Sequence, residues 1–121
     1  MTAELQPQFV LSAVLNEVGL KPNALAGSPV ESELVIYAND AIEMGIWEVT
    51  PGTFRGSKEG VYEFMHFAQG AGTITDESGA VIHISPGLSV FVPDGWRGTW
   101  DVTETVRKTY VINRTAKEPS Q

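Results

Sequence analysis

Glu63-Phe64-Met65-His66-Phe67-Ala68-Gln69-Gly70, followed by Gly87-Leu88-Ser89-Val90-Phe91-Val92-Pro93-Asp94-Gly95, sets the architecture of this chain. Six residues separate the glutamate from the glycine in the first block, and five separate the first glycine from the proline in the second. Both blocks lie between Gly52 and Gly98, a region of short extended segments broken by glycine and proline. Val61 to Ala68 is the strongest strand in the sequence, with Glu63, Met65 and Phe67 on one face by simple alternation. Gln69-Gly70-Ala71-Gly72 reads as a turn. Thr73-Ile74-Thr75 then pairs with Ala80 to Ile84 across Asp76-Glu77-Ser78-Gly79, a connection whose Asp bonds its own backbone and whose Gly accepts positive φ.

Toward the N-terminus, Met44 to Thr50 is a strand with Trp47 and Val49 on one face and Ile46, Glu48 and Thr50 on the other. Leu34 to Tyr37 is another, closed by the turn residues Asn39-Asp40. Lys21 to Glu33 is rich in Pro, Gly, Asn and Ser and reads as a connecting loop. Phe9 to Val18 has apolar residues at spacings of three and four but also allows an extended course, so a short helix and an ordered arm both remain open. Toward the C-terminus, Thr99 to Val102 and Val106 to Ile112 complete the strands. Short strands about every ten residues, with no long helical pattern between them, predict an all-β jelly-roll barrel or sandwich of two antiparallel sheets. The expected organisation is an N-terminal arm and loop over residues 1–33, one domain over 34–113 and a polar tail over 114–121.

Composition narrows the function. The chain has 121 residues, one domain's worth. Its net charge of −7 and the lack of any basic run longer than Arg107-Lys108 argue against a nucleic-acid partner. With no cysteine, disulfides, thiolate zinc sites and cysteine nucleophiles are excluded, and a cytoplasmic location is expected. Phe9 to Leu20 is too short to span a bilayer and does not read as a signal peptide, so no membrane partner is expected.

Glu63 is the residue that stands out. A carboxylate on a barrel-facing position is costly unless paired, and the cations available on the last strand are Lys108 and Arg107. Glu63 is thus half of a buried ion pair, a general acid or base with Lys108 as charge partner, or an anchor for an amine or hydroxyl ligand. His66 falls on the opposite face, and His83 sits in the hairpin, so neither reads as a site residue. Trp47, Trp96, Trp100 and Tyr110 are the aromatic candidates for a ligand pocket, small barrels being able to hold one ligand in their mouths.

The ordered series Gly45 to Phe54, Glu63, Gly70, Thr75 to Gly79, Pro93 to Trp100 and Val106 to Tyr110 resembles the cupin superfamily over roughly Leu34 to Ile112, in particular the small cupins related to ureidoglycine aminohydrolase. In metal-binding cupins the first motif supplies two histidines and a glutamate and the second motif a third histidine. By this resemblance the glutamate falls on Glu63, the histidine places on Ser57 and Glu59 or one residue away, and the third on Gly98, flanked by Trp96 and Trp100. No histidine stands at any of them. The resemblance therefore implies a cupin that binds a small polar, nitrogen-containing metabolite without a conventional metal centre and with no cofactor, and that acts as a hydrolase or isomerase or as a non-catalytic module. It also implies a homodimer, built by strand exchange or sheet-face packing with the apolar arm.

Overall fold

A computed structural model describes residues 2–115, and every regular element in that span is a β-strand. The order is β1 Asn16–Leu20, β2 Ala24–Gly27, β3 Val30–Ala38, β4 Ile42–Val49, β5 Gly52–Ser57, β6 Val61–Asp76, β7 Val81–Ile84, β8 Ser89–Val92 and β9 Arg97–Arg114. The polar tail expected over 114–121 lies outside the described residues from 116 onward.

All nine strands join one antiparallel hydrogen-bonded sheet that curls into two leaves. Two long strands belong to both leaves. Val106–Asn113 of β9 pairs with β4, while Arg97–Val102 of the same strand pairs with β5. Likewise Glu63–His66 of β6 pairs with β8, and Gly72–Thr75 pairs with β7. One leaf therefore runs β1, β3, β4, β9, β6, β8 and the other β2, β5, β9, β6, β7. This is the jelly-roll arrangement, with its two sheets continuous through β6 and β9.

That continuity corrects two expectations. The turn predicted at Gln69–Gly72 is a series of register shifts within an unbroken β6, and the two predicted C-terminal strands are one strand. Glycine at a bulge bends and twists a strand without reversing it. Gly70, at φ +109, fits because a side chain there would meet Thr105 O and Val106 Cα at 2.6 Å. The hairpin across Asp76–Gly79 forms as expected, with Thr73 opposite His83 and Thr75 opposite Val81.

Near the N-terminus one open alternative is resolved and one expectation fails. Phe9 to Val18 forms no helix: one turn closes with Ala13 N donating to Phe9 O at 2.9 Å, and the chain then enters β1 as an arm. Arg107 holds this arm, its Nη1 donating to Val10 O at 3.0 Å and Ala13 O at 2.9 Å, so backbone anchoring outweighs helical periodicity. Lys21 to Glu33 is not a loop throughout, since β2 pairs with β5 and β3 begins at Val30. Its Pro, Gly and Asn residues bound short edge strands rather than filling one long connection.

Between the leaves, Val49, Phe54, Met65, Phe67, Trp100 and Val106 form the packed centre. Beside this centre, and sharing Phe54, Met65 and Trp100 with it, a cavity opens whose lining also carries charged side chains.

Candidate active site

The cavity has a volume of about 330 Å³ and is lined by residues of both leaves. At its floor lies Glu63, 2% exposed, on the inner face of β6 where alternation puts it beside Met65 and Phe67. Two ammonium groups hold this carboxylate. Lys108 Nζ donates to Oε2 at 2.7 Å, and Lys58 Nζ meets Oε1 at 2.7 Å.

Each cation arrives by a different route. Lys108 is an inward position of β9, opposite Trp47 on β4 and Phe67 on β6. Its Nζ also donates to Met65 Sδ at 3.2 Å and lies 4.6 Å from the Trp47 ring centroid and 5.2 Å from that of Trp100. Aromatic faces attract a cation most strongly when it is desolvated, and Lys108 is only 6% exposed. Lys58 follows β5 and is fixed through its backbone. Its N–H donates to Trp96 O at 2.9 Å, and its carbonyl accepts from Gly95 N at 2.7 Å, so the Pro93–Trp96 corner clamps it over Glu63.

Burial alone would raise the Glu63 carboxyl, but the ammonium groups of Lys108 and Lys58 outweigh it and hold the group below the usual carboxylate range. Glu63 thus stays ionised at neutral pH. Burial lowers the Lys108 ammonium below the ordinary lysine value; Glu63 opposes this shift, while the charges of Lys58 and Lys21 add to it. Of the two, Lys108 is the group displaced toward neutral pH.

The aromatic candidates surround this pair. Trp47 and Trp100 meet edge to face at 5.8 Å and 70°, and Phe54 stacks on Trp100 at 5.6 Å. Trp47 Nε1 donates to Glu31 Oε1 at 3.0 Å, and Lys21 Nζ stands 3.5 Å from the same oxygen. Trp96 sits at the opening, its Nε1 donating to Asp76 Oδ1 at 2.7 Å. Tyr110 OH donates to Glu43 Oε2 at 2.8 Å, and burial together with that carboxylate pushes the phenol above its usual value. Glu33 lies on the same acidic side; partial burial and the charges of Glu43 and Glu31 raise its carboxyl. The cavity is therefore two-sided, with Lys58, Lys108, Lys21 and Arg55 against Glu31, Glu33 and Glu43.

All six residues singled out from sequence, Glu63, Lys108, Trp47, Trp96, Trp100 and Tyr110, line this one cavity. Arg107, the alternative partner for Glu63, does not. It faces outward and pairs with Glu48, Nη2 to Oε1 at 2.9 Å. His66 bonds Ser89 Oγ at 2.8 Å on the outer face, and His83 is exposed. Sequence reasoning missed Lys58, Lys21 and the acidic side. Lys58 had a signal, since it adjoins both Ser57 and Glu59, the first two histidine places.

The residues at the metal place do not fit an ion. Both oxygens of Glu63 are engaged by lysines, and Ser57 and Glu59 are exposed. A side chain at Gly98 would run into Thr75 O and the Trp96 ring. Among the described residues no group of three or more His, Cys, Asp or Glu side chains is gathered to hold a metal.

Fold and cavity together describe a cupin. Residues 37–110 match the family model of the EutQ-like cupin domain, and the chain belongs to that family. No curated protein matches it. Among solved structures it resembles a protein of unknown function from Pseudomonas syringae pv. tomato, with TM-score 0.75 and 23% identity over 84% of this chain and 45% of that one. This chain thus spans less than half the length of that relative. It also resembles the Clostridium difficile EutQ protein, with TM-score 0.62 and 20% identity over 71% of this chain and 69% of that one. Ectoine synthase from P. lautus gives TM-score 0.63 and 14% identity over 72% and 66%. These likenesses establish the cupin fold, which carries unrelated activities. No helix among the described residues is long and apolar enough to cross a membrane.

Proposed function

We propose that this cupin binds a small polar metabolite in the barrel cavity and acts on it without a metal, as a hydrolase or isomerase. The observation that carries the reading is a Lys108–Glu63–Lys58 cluster at the floor of a cavity of about 330 Å³, the size of a small-molecule site. Lys108 moves the proton, being the group whose ionisation is displaced toward neutral pH, and Glu63 holds it in position. Trp47, Trp96, Trp100 and Tyr110 form the walls. A nitrogen-bearing ligand, as the resemblance to the ureidoglycine aminohydrolase group implies, is supported by the carboxylates of Glu33 and Glu43 on the opposite side.

The test is a tryptophan-fluorescence titration with amino acids, ureido acids and 2-oxo acids, read on the wild type and on Lys58→Met. One of these classes is expected to shift the wild-type signal and to lose that effect in the variant. No response to any of them overturns the reading, as does stoichiometric manganese, iron, nickel or zinc in the purified protein.

A second reading, a non-catalytic metabolite-binding or structural module, is favoured by one observation. Among the described residues no buried side-chain nitrogen or oxygen lacks a partner, which is how a purely structural ion pair looks. Ligand binding without turnover would select it. For the partner we propose a second copy of the chain. Phe9 and Val14 of the arm are 84% and 89% exposed, and Tyr62, Phe64 and Phe91 lie together on an outer sheet face. A sedimentation mass equal to one subunit would remove the dimer.

A further inference from the structure

Three of the chain's four lysines, Lys21, Lys58 and Lys108, line the same cavity. We propose that Lys108 condenses with a small carbonyl compound bearing a carboxylate, such as a 2-oxo acid, to form an imine at the cavity floor. The inference rests on the cavity being a ligand site.

A lysine attacks a carbonyl only as the neutral amine, and enzymes favour that form by desolvation and by a neighbouring cation. Lys108 has both. Its side chain is desolvated, at 7% exposure, and the ammonium of Lys58 sits on the other oxygen of the carboxylate it binds. The sharing of Glu63 matters most. When Lys108 gives up its proton, Lys58 remains 2.7 Å from Oε1, so the buried carboxylate keeps a counter-ion and the neutral amine does not strand a charge. A simple two-residue ion pair would oppose deprotonation; this three-residue cluster tolerates it.

Other elements complete the arrangement. Glu43 and Trp47 of β4, Glu31 and Glu33 of β3, Glu63 and Asp76 of β6, Trp100 and Tyr110 of β9, Arg55 of β5, Lys58 beyond it and Lys21 ahead of β2 are among the charged and aromatic groups lining the cavity. Lys21, held to Glu31 at 3.5 Å, and Arg55 on the same lining supply positive charge for the ligand's carboxylate. In the reaction the ammonium proton of Lys108 first passes to solvent through the cavity, the freed Nζ lone pair attacks the carbonyl carbon, and a C–N bond forms as the C=O π bond opens. The two amine hydrogens end on the oxygen, which leaves as water. No oxidant or reductant enters.

The experiment uses glyoxylate as probe, with cyanoborohydride to trap the imine in the native folded chain, followed by peptide mapping. Mapping the wild type requires no variant to fold, and the small number of lysines makes each site assignable. The expected result is label concentrated on Lys108, a preference that disappears when the protein is unfolded in urea before treatment, and slower labelling with acetaldehyde, which lacks the carboxylate. Label spread over the lysines, or unchanged by urea, overturns the proposal. Acetaldehyde reacting as fast as glyoxylate overturns the carboxylate part. If glyoxylate shifts the tryptophan fluorescence without labelling Lys108, the imine is overturned and the ligand cavity stands. If glyoxylate does neither, the imine is overturned, and the fluorescence titration with the other ligand classes decides the cavity separately.

Discussion

Replacing Glu63 with glutamine keeps the shape of the side chain and removes the charge that two ammonium groups share at 2.7 Å each. The amide oxygen can serve one lysine; the amide nitrogen then points N–H donors at the other. Lys58, with 26% of its side chain exposed, can turn toward water, whereas Lys108 at 7% cannot. The cost therefore falls on Lys108. Removing one partner of a buried ion pair destabilises by about 3–5 kcal/mol, and the freedom of Lys58 places Glu63→Gln near the lower end. For a chain of this size, about 3 kcal/mol lowers Tm by roughly 10–15 °C. Urea unfolding followed by tryptophan fluorescence at neutral pH measures it. Because Lys108 can relieve the strain by losing its proton, the deficit must shrink as pH rises toward 10.5. Adding Lys108→Met to the variant should recover part of the loss, since a buried pair replaced by apolar groups is often tolerated. A Glu63→Gln protein within about 0.5 kcal/mol of wild type, the range of ordinary surface changes, would refute the reasoning.

In the wild type, Glu63 binds fewer protons folded than unfolded, so its contribution is present above the ordinary carboxylate value of 4.5 and is lost as pH falls through the lower folded value. Lys108 also binds fewer protons folded than unfolded below 10.5, so stability should climb with pH across the window just below that value, measurable by urea unfolding at a series of pH values. Arg107→Ala frees Val10 O and Ala13 O, and limited proteolysis should then cut within residues 10–15 while the cavity is unaffected; an unchanged digest would contradict the anchoring role. Gly70→Ala forces a left-handed φ of +109 on alanine and drives Cβ to 2.6 Å from Thr105 O and Val106 Cα. A loss of about 1–3 kcal/mol or more in urea unfolding is expected, and a neutral result would contradict the tight bend in β6.

Period-two alternation made the inner face of β6 readable in advance. Glu63, Met65 and Phe67 are buried and Tyr62 and Phe64 exposed, as the pattern requires. It also made Lys108 readable as a partner, because β9 offered two adjacent cations and only one could face inward. Lys58 was not readable. Its place depends on backbone bonds to Gly95 and Trp96, residues far along the chain that local pattern cannot bring together. Lys21 and Glu31 were hidden for a related reason, since the turn residues Pro22-Asn23 and Gly27-Ser28-Pro29 flank the four-residue β2 and mask the strand between them. Gly70 and Gly72 misled because glycine serves reversal and bulging alike, and only the pairing of β6 with β9 separates the two. The missing histidines were legible in sequence; the crowding at Gly98 that leaves no room for one required the packed chain.

A lysine-resolved NMR titration examines the site at its source. With lysine enriched at the ε-carbon, the small set of signals can be assigned by substitution and followed against pH in the native protein. The account predicts that Lys108 titrates below the ordinary lysine value of 10.5 and that its signal responds to titrating glyoxylate. A Lys108 that titrates at or above that value, and ignores the probe, would contradict it.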